Sequence, residues 1–538
     1  MRVYRDWQKK VVHNGLLFSL LFLQINQQIF AAETSAEWRY SVRSGDNLIH
    51  FGQRYLINPD DWHVLQHLNN IKNPTHMPLG SILRVPLNLV KQNPASAEVA
   101  LASGQANIVN ADNSLQPVAV GQQLTAGKEL VTGENSKLNI KFADGSVISM
   151  GPNSHLKLDT LSIYNGGGMV DTTLRLQQGR AEVQANPQHV QGNQMHIITP
   201  SAVAAVRGTT FRVSAEGEIM RQETLEGKVA LIAAEQEVAV DKGFGSLSEA
   251  GNAPLPPVLL LPAPATQSLQ TKLEAIPVKF TMAAQEGAVA WLGRVSSDAK
   301  FNTIAAQKVS QGTDLSFADL PDGEYYLSVR AQDKQGIEGY DALHKFVLKA
   351  RPFAPQAIAP AAGQTLRDAN PEMTWTKVEA ADQYLLELAK EIDFKQISHV
   401  EKVTANQYKV TKELEPGQYF WRVASIAGDN QGPYMAANNF AYKAKPPAPD
   451  ITQLKVSLSP NNNKALVTTV NPPEGLTYSA VLDDDAGKQK HVWQCAGLGG
   501  EFSFLLEKYG KQTLRLRLIE ADGVAGPEAS YEFEVKPK

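Results

Sequence analysis

The sequence predicts a multidomain, mainly β protein, on three observations. The chain has 538 residues, more than one hydrophobic core usually serves. From residue 98 onward, short alternating runs are punctuated by glycine, aspartate and proline, the pattern of strands joined by tight turns. Related strand motifs then recur about 94 residues apart (offset from Leu320 to Leu414) in the C-terminal half. The expected order is a small βααβ module at 38–87, an all-β domain, rolled or solenoid-like, at 98–248, and a proline-rich linker at 249–272. Three antiparallel β-sandwich repeats follow at 273–350, 351–446 and 447–538.

Composition limits the function classes. A formal net charge of −4 argues against a basic nucleic-acid surface, so no nucleic-acid partner is expected. Hydrophobic residues at 43 % and charged residues at 20 % are ordinary for globular protein. Cys495 is the one cysteine, which excludes an intramolecular disulfide and a cysteine metal cluster. Beside Trp493 it reads as a small buried residue.

Residues 1–32 read as an export signal. Arg2, Arg5, Lys9 and Lys10 precede a short apolar core from Leu16 to Leu23, which Gln24, Asn26, Gln27 and Gln28 interrupt. That core is shorter than the roughly 20 residues a membrane helix needs. Cleavage is expected near Ala31, Ala32 or Ala36, leaving no stable membrane span; an uncleaved anchor is the alternative.

In the first module, Arg39-Tyr40-Ser41-Val42 alternates as a strand and Asp46 is suited to cap a helix. Leu48, Phe51, Gly52 and Tyr55 then repeat at helical spacing. Pro59 opens a second helix, with Asp60 and Asp61 near its positive end. Leu83, Val85 and Pro86 close with a strand. Tyr40-x-Val42-x-x-Gly45-Asp46-x-Leu48, Leu68-Asn69, Pro78-Leu79-Gly80 and Leu83-x-Val85-Pro86 together resemble the LysM family. Asn47 stands where that family usually has threonine or serine. The resemblance implies binding of N-acetylglucosamine-containing glycan, here peptidoglycan. It places Gly45, Asp46, Asn47 and Leu48 on one side of a shallow groove, with Ile71, Lys72, Asn73, Met77 and Pro78 on the other. A neutral acetamido sugar needs backbone donors and acceptors and an apolar wall, and glycine permits close approach. The alternative is a fold kept as a spacer.

In the second module, Lys137–Phe142 and Val147–Met150 flank Asp144-Gly145, a strong hairpin cue. Asp144-Gly145-Ser146, Leu176-x-x-Gly179-x-x-x-Val183, Thr199-Pro200-x-Ala202-x-x-x-Val206-Arg207-Gly208-Thr209-x-Phe211-x-Val213 and Glu226-Gly227-x-Val229 resemble the FecR domain family. Its best-known members are periplasmic regulators that relay iron-siderophore signals to a sigma factor. A relay of that kind also needs a membrane span and a cytoplasmic sigma-binding region, and about 14 residues precede the apolar segment here. Arg207, Gly208, Thr209 and Phe211 are expected to be either structural or a partner contact, with Arg207 holding carbonyls at a turn or meeting an anion or partner.

The sequence 253–264 alternates prolines with apolar residues and predicts a semi-extended spacer, in which flanking prolines oppose a strand at Leu259–Leu261. Leu320-Pro321-Asp322-Gly323-Glu324-Tyr325 matches Leu414-Glu415-Pro416-Gly417-Gln418-Tyr419, and the pattern resembles the tyrosine corner of fibronectin type III domains. The third copy has Gln512 at the tyrosine position and is expected to be immunoglobulin-like.

The search for chemistry returns little. His63 and His67 share a helix face but have no evident third ligand, Asp483-Asp484-Asp485 lacks the spacing of a calcium loop, and Gly166-Gly167-Gly168 lacks the lysine of a phosphate cradle. No catalytic residue, metal or cofactor is expected. The leading expectation is a non-catalytic peptidoglycan-binding protein of the periplasm or cell envelope of a Gram-negative bacterium, with a FecR-like domain and sandwiches as scaffold or sensor and an unidentified envelope protein as partner. The alternatives are a periplasmic signal-transduction regulator acting through the FecR-like domain on a membrane partner, and an unrecognised wall hydrolase.

Overall fold

A computed structural model describes residues 37–537 except 166–167, 187–192, 207, 462, 485–488 and 496–499, with the side chains at 484, 489–495 and 502 also outside the description. The export signal, Arg207, Asp485 and the side chain of Cys495 therefore lie outside the described residues, as do Gly166 and Gly167. The chain divides into two compact units, 1–349 and 350–538. No described helix is long and apolar enough to cross a membrane.

The first unit opens with the βααβ module. β1 (Glu37–Ser41) pairs antiparallel with β2 (Ile82–Pro86), and α1 (Leu48–Tyr55) and α2 (Trp62–Leu68) lie between them in sequence. Asn47, and not Asp46 as expected, caps α1, its Oδ1 accepting from the His50 N–H at 2.8 Å, because the Asp46 carboxylate is already taken by Tyr40 and Arg43. Asn58, with Pro59 after it, starts the short 3-10 turn that leads into α2. The apolar spacing buries Leu48, Phe51, Tyr55 and Leu65, and Trp38, Tyr40, Phe51 and Tyr55 form an aromatic cluster. Tyr164 and Met169 from the following domain complete this core, so module and domain share apolar packing.

The strands from Gln92 to Leu259 close into a barrel, the rolled form of the two the sequence left open. Its organising element is the 15-residue strand Val170–Gln184. The first part pairs antiparallel with His155–Tyr164 and parallel with Gln194–Ile198. The second part pairs antiparallel with Val147–Met150 and Thr210–Glu216. Gly179 falls where the partners change, at φ +92, and a Cβ there would lie 2.5 Å from Ser154 Cα. The Asp144-Gly145 hairpin forms as its sequence predicts, with Asp144 Oδ1 accepting from the Ser146 N–H at 2.9 Å and Gly145 at φ +84.

The proline-rich stretch is not a free spacer. Val258–Leu259 pair antiparallel with Phe244–Gly245, Leu260 is buried, and the Leu261 carbonyl accepts from the Tyr340 N–H at 3.0 Å. Residues 258–261 lie between Pro257 and Pro262 and keep their N–H groups, which is enough for a two-residue edge strand.

The sandwich that follows sets a five-stranded sheet, ordered Lys272–Leu273, Ala342–Leu348, Gly323–Gln332, Ala290–Ser296 and Ile304–Gln311, beside the pair Val278–Thr281 and Asp314–Phe317. In the second unit, one sandwich carries sheets of three and six strands around Trp375 and Trp421, and the other carries sheets of three and four strands around Leu514 and Leu516. The tyrosine corners close as expected: the Tyr325 hydroxyl donates to the Pro321 carbonyl and the Tyr419 hydroxyl to the Glu415 carbonyl, both at 2.9 Å. Gln512 takes the buried position in the last sandwich. Asp483 lies near the end of the strand Leu476–Asp484 and accepts from Arg515 Nε at 2.5 Å.

Candidate functional site

The two loops singled out in the N-terminal module lie together. The Leu48 N–H donates to the Pro74 carbonyl at 2.8 Å, joining the turn that opens α1 to the segment before β2. Gly45 is exposed at φ +88 with nothing within 4 Å of a Cβ position. Asp46 supports the turn from within: its Oδ2 accepts from the Tyr40 hydroxyl at 2.6 Å and from the Arg43 N–H at 2.7 Å. Burial and that hydrogen bond push the Tyr40 phenol up to about 12. On the other side, Asn73 Oδ1 accepts from the Thr75 N–H and hydroxyl, and the Pro78 carbonyl accepts from the Ser81 N–H and hydroxyl. Ile71 is half-buried, with its N–H and carbonyl bonded to Gln66, while Lys72, Asn73 and Pro78 are exposed. Two expected contacts change character. Leu48 and Met77 send their side chains into the core, because both complete its apolar packing, and leave only backbone for the loops. Leu79, part of the Pro78-Leu79-Gly80 motif but not singled out, is 73 % exposed and supplies an apolar face.

In the barrel, Phe211 is fully buried, paired with Val183 and Thr224 across the sheet. Thr209 is buried with its methyl against Gly227, where a Cβ would clash, and Gly208 takes φ +62. Phe211 and Thr209 thus pack inside the barrel, and Gly208 is half-buried. Thr199 Oγ1 accepts from the Ala202 N–H at 3.2 Å and closes the turn before Val203–Val206.

The motif also holds a residue that the sequence reading passed over. Arg212, between Phe211 and Val213, points away from the barrel core yet is only 4 % exposed, because the first sandwich covers it. Its Nη2 donates to the Gly339 carbonyl at 2.9 Å. Around it lies an ion network built from both domains. Arg330 Nη1 donates to Glu338 Oε2 at 2.9 Å and its Nε to Asp341 Oδ1 at 2.8 Å. Arg180 Nη1 lies 2.9 Å from Glu338 Oε1, and Arg294 Nη2 donates to Asp341 at 3.1 Å. Glu223 Oε1 accepts from the Glu338 N–H at 3.1 Å.

The two buried glutamates titrate in opposite directions. Burial pushes Glu223 up to about 7. Burial acts the same way on Glu338, but Arg180, Arg330 and Arg212 outweigh it and hold the carboxyl down to about 2. Burial also disfavours charge on Asp341, and Arg330 and Arg294 reverse that, keeping it below the usual carboxylate range. The network encloses one side of a cavity of about 430 Å3 between barrel and sandwich. Period-two alternation marked Arg212 as outward, which reads as solvated, and the sequence carried no sign that a second domain lies over it.

Residues 128–230 match the family model for FecR protein, well under half of the chain. A comparison with curated proteins finds no match. Among solved structures, a candidate anti-sigma factor from Parabacteroides distasonis is 18 % identical at a TM-score of 0.21, covering 24 % of this chain; the chain spans 59 % of that structure. The FN1–FN3 domains of chicken CNTN1 are 13 % identical at a TM-score of 0.23, over 52 % of this chain and 100 % of that one. The fibronectin(III)-like modules of Clostridium thermocellum CbhA are 14 % identical at a TM-score of 0.22, over 34 % of this chain and 94 % of that one. At such TM-scores none of these likenesses carries an argument about this chain.

Proposed function

We propose that this protein is a signal-transduction regulator of the cell envelope that acts through its FecR-like barrel on a membrane partner. The match of residues 128–230 to the FecR family is the observation that carries the reading. Packing agrees with it: Arg330–Glu182, Arg180–Glu338, Arg212–Gly339 and the Leu261–Tyr340 hydrogen bond tie barrel and first sandwich together, a physical route for coupling the two. Leu115 and Val120 are exposed apolar positions on the barrel suited to a probe. A photo-cross-linking residue at either position, in intact cells, is expected to capture an inner-membrane regulatory protein. Capture of soluble envelope proteins alone would sink the proposal.

A second reading concerns the N-terminal module. The Leu48–Pro74 hydrogen bond brings the two loops of the expected glycan groove side by side, and this favours peptidoglycan as the ligand that localises the regulator. Backbone groups, exposed Asn73 and the apolar faces of Pro78 and Leu79 are the kind of wall an acetamido sugar takes. Co-sedimentation with isolated sacculi is expected for the full protein and lost on Gly45→Trp or on deleting residues 38–87. Equal sedimentation of all three would refute glycan binding at this groove.

A further inference from the structure

The cavity between barrel and first sandwich has a charge imbalance that its own network does not cancel. Six cations line it: Lys137, Arg180, Arg212, Arg294, Lys300 and Arg330. Three carboxylates oppose them there, those of Glu182, Glu223 and Glu338. Asp341, paired with Arg330 and Arg294, leaves the excess cationic even when it is counted.

The donors are incompletely used. Among the described residues, Arg212 Nε and Nη1 are buried without a hydrogen-bond partner, with Glu223 at 3.9 Å and Glu338 at 3.6 Å. Arg294 Nε is likewise buried without a hydrogen-bond partner among the described residues. Leaving a buried guanidinium donor unpaired costs free energy that a bound oxyanion would recover. The crowding of like charge is visible in the titrations: burial and the neighbouring Arg330 lower Arg212 and bring Arg294 down to about 10, and burial and Arg294 lower Lys137. With Glu223 pushed up to about 7, one of the three opposing carboxylates is partly neutral at physiological pH.

We propose that this cavity binds a small, multiply charged oxyanion, phosphate- or carboxylate-bearing, on Arg212, Arg294 and Lys300. The volume, about 430 Å3, leaves ample room for a small anion. Because barrel and sandwich both supply cations, the bound anion neutralises repulsion across their junction and tightens it. The site is independent of the partner and glycan readings above, so neither of their tests bears on it.

The test is calorimetric titration of the full protein with pyrophosphate and, separately, malonate, against sodium chloride at matched ionic strength. Saturable binding of pyrophosphate, malonate or both is expected, the pattern assigning phosphate or carboxylate chemistry. Arg212→Met is expected to abolish the heat. Lys300→Gln changes an exposed residue, so folding is preserved, and it is expected to weaken affinity by about tenfold. No saturable binding of either anion to the unaltered protein overturns the proposal, as does affinity unchanged in Lys300→Gln.

Discussion

Gly179 shows how one residue sets the barrel. The strand Val170–Gln184 must leave one set of partners and join another, and it turns at a residue with φ +92 pressed against Ser154. An l-side chain is strained there on both counts. Gly179→Ala is expected to cost about 2 kcal/mol or more of stability, read as a lower urea midpoint of the full protein with an unchanged far-UV spectrum. An unaltered midpoint would mean that the strand absorbs the change elsewhere. The sequence motif Leu176-x-x-Gly179 marked this glycine, since only glycine combines that φ with so close an approach. Leu48 and Met77 show the opposite case. Their motif positions were legible, but whether a loop residue faces a groove or a core depends on what packs behind it, and here both side chains turn inward.

At the scale of elements, the junction between barrel and sandwich governs the pH response. Glu223 titrates near 7 when folded, against 4.5 for the ordinary side chain. Between those values the folded protein holds a proton that the unfolded chain has released, so this group's contribution to stability falls as pH rises through the window. Arg212, Arg330 and Glu338 face it. Glu338 works in the other sense: held down to about 2, it contributes stability above pH 4.5 that is lost as pH falls toward its folded value. Glu223→Gln is expected to remove the decline between about pH 4.5 and 7, with a gain on the order of 2 kcal/mol at pH 7. Urea denaturation across that range checks this, and a slope equal to that of the unaltered protein would mean that Glu223 is ionised throughout. None of this was visible in the sequence, because Arg330 and Glu338, which bury and surround Glu223, lie more than a hundred positions away.

For the molecule as a whole, the division at residue 349 carries its own consequence. The second unit has two sandwich cores, and within it Arg367 Nη1 and Nη2 grip Glu520 at 2.8 Å each while Lys443 adds a third contact. Those hydrogen bonds, Arg367 first, hold Glu520 down to about 2. Residues 350–538 expressed alone are expected to give a β-rich spectrum and a cooperative thermal transition. A non-cooperative melt would show that this unit requires the first for its fold.

By itself the sequence determined the local devices: the Asp144-Gly145 hairpin and the tyrosine corners at Tyr325 and Tyr419. Each depends on residues a few positions apart, so propensity and turn geometry suffice to read it. The tertiary structure alone decided that the barrel closes, that residues 258–261 become a packed seam, and that Arg212 is buried against a second domain rather than solvated. Period-two alternation says only which side of a strand a residue occupies. What covers that side is fixed by contacts between distant segments, and the charge-rich cavity exists only where those segments meet.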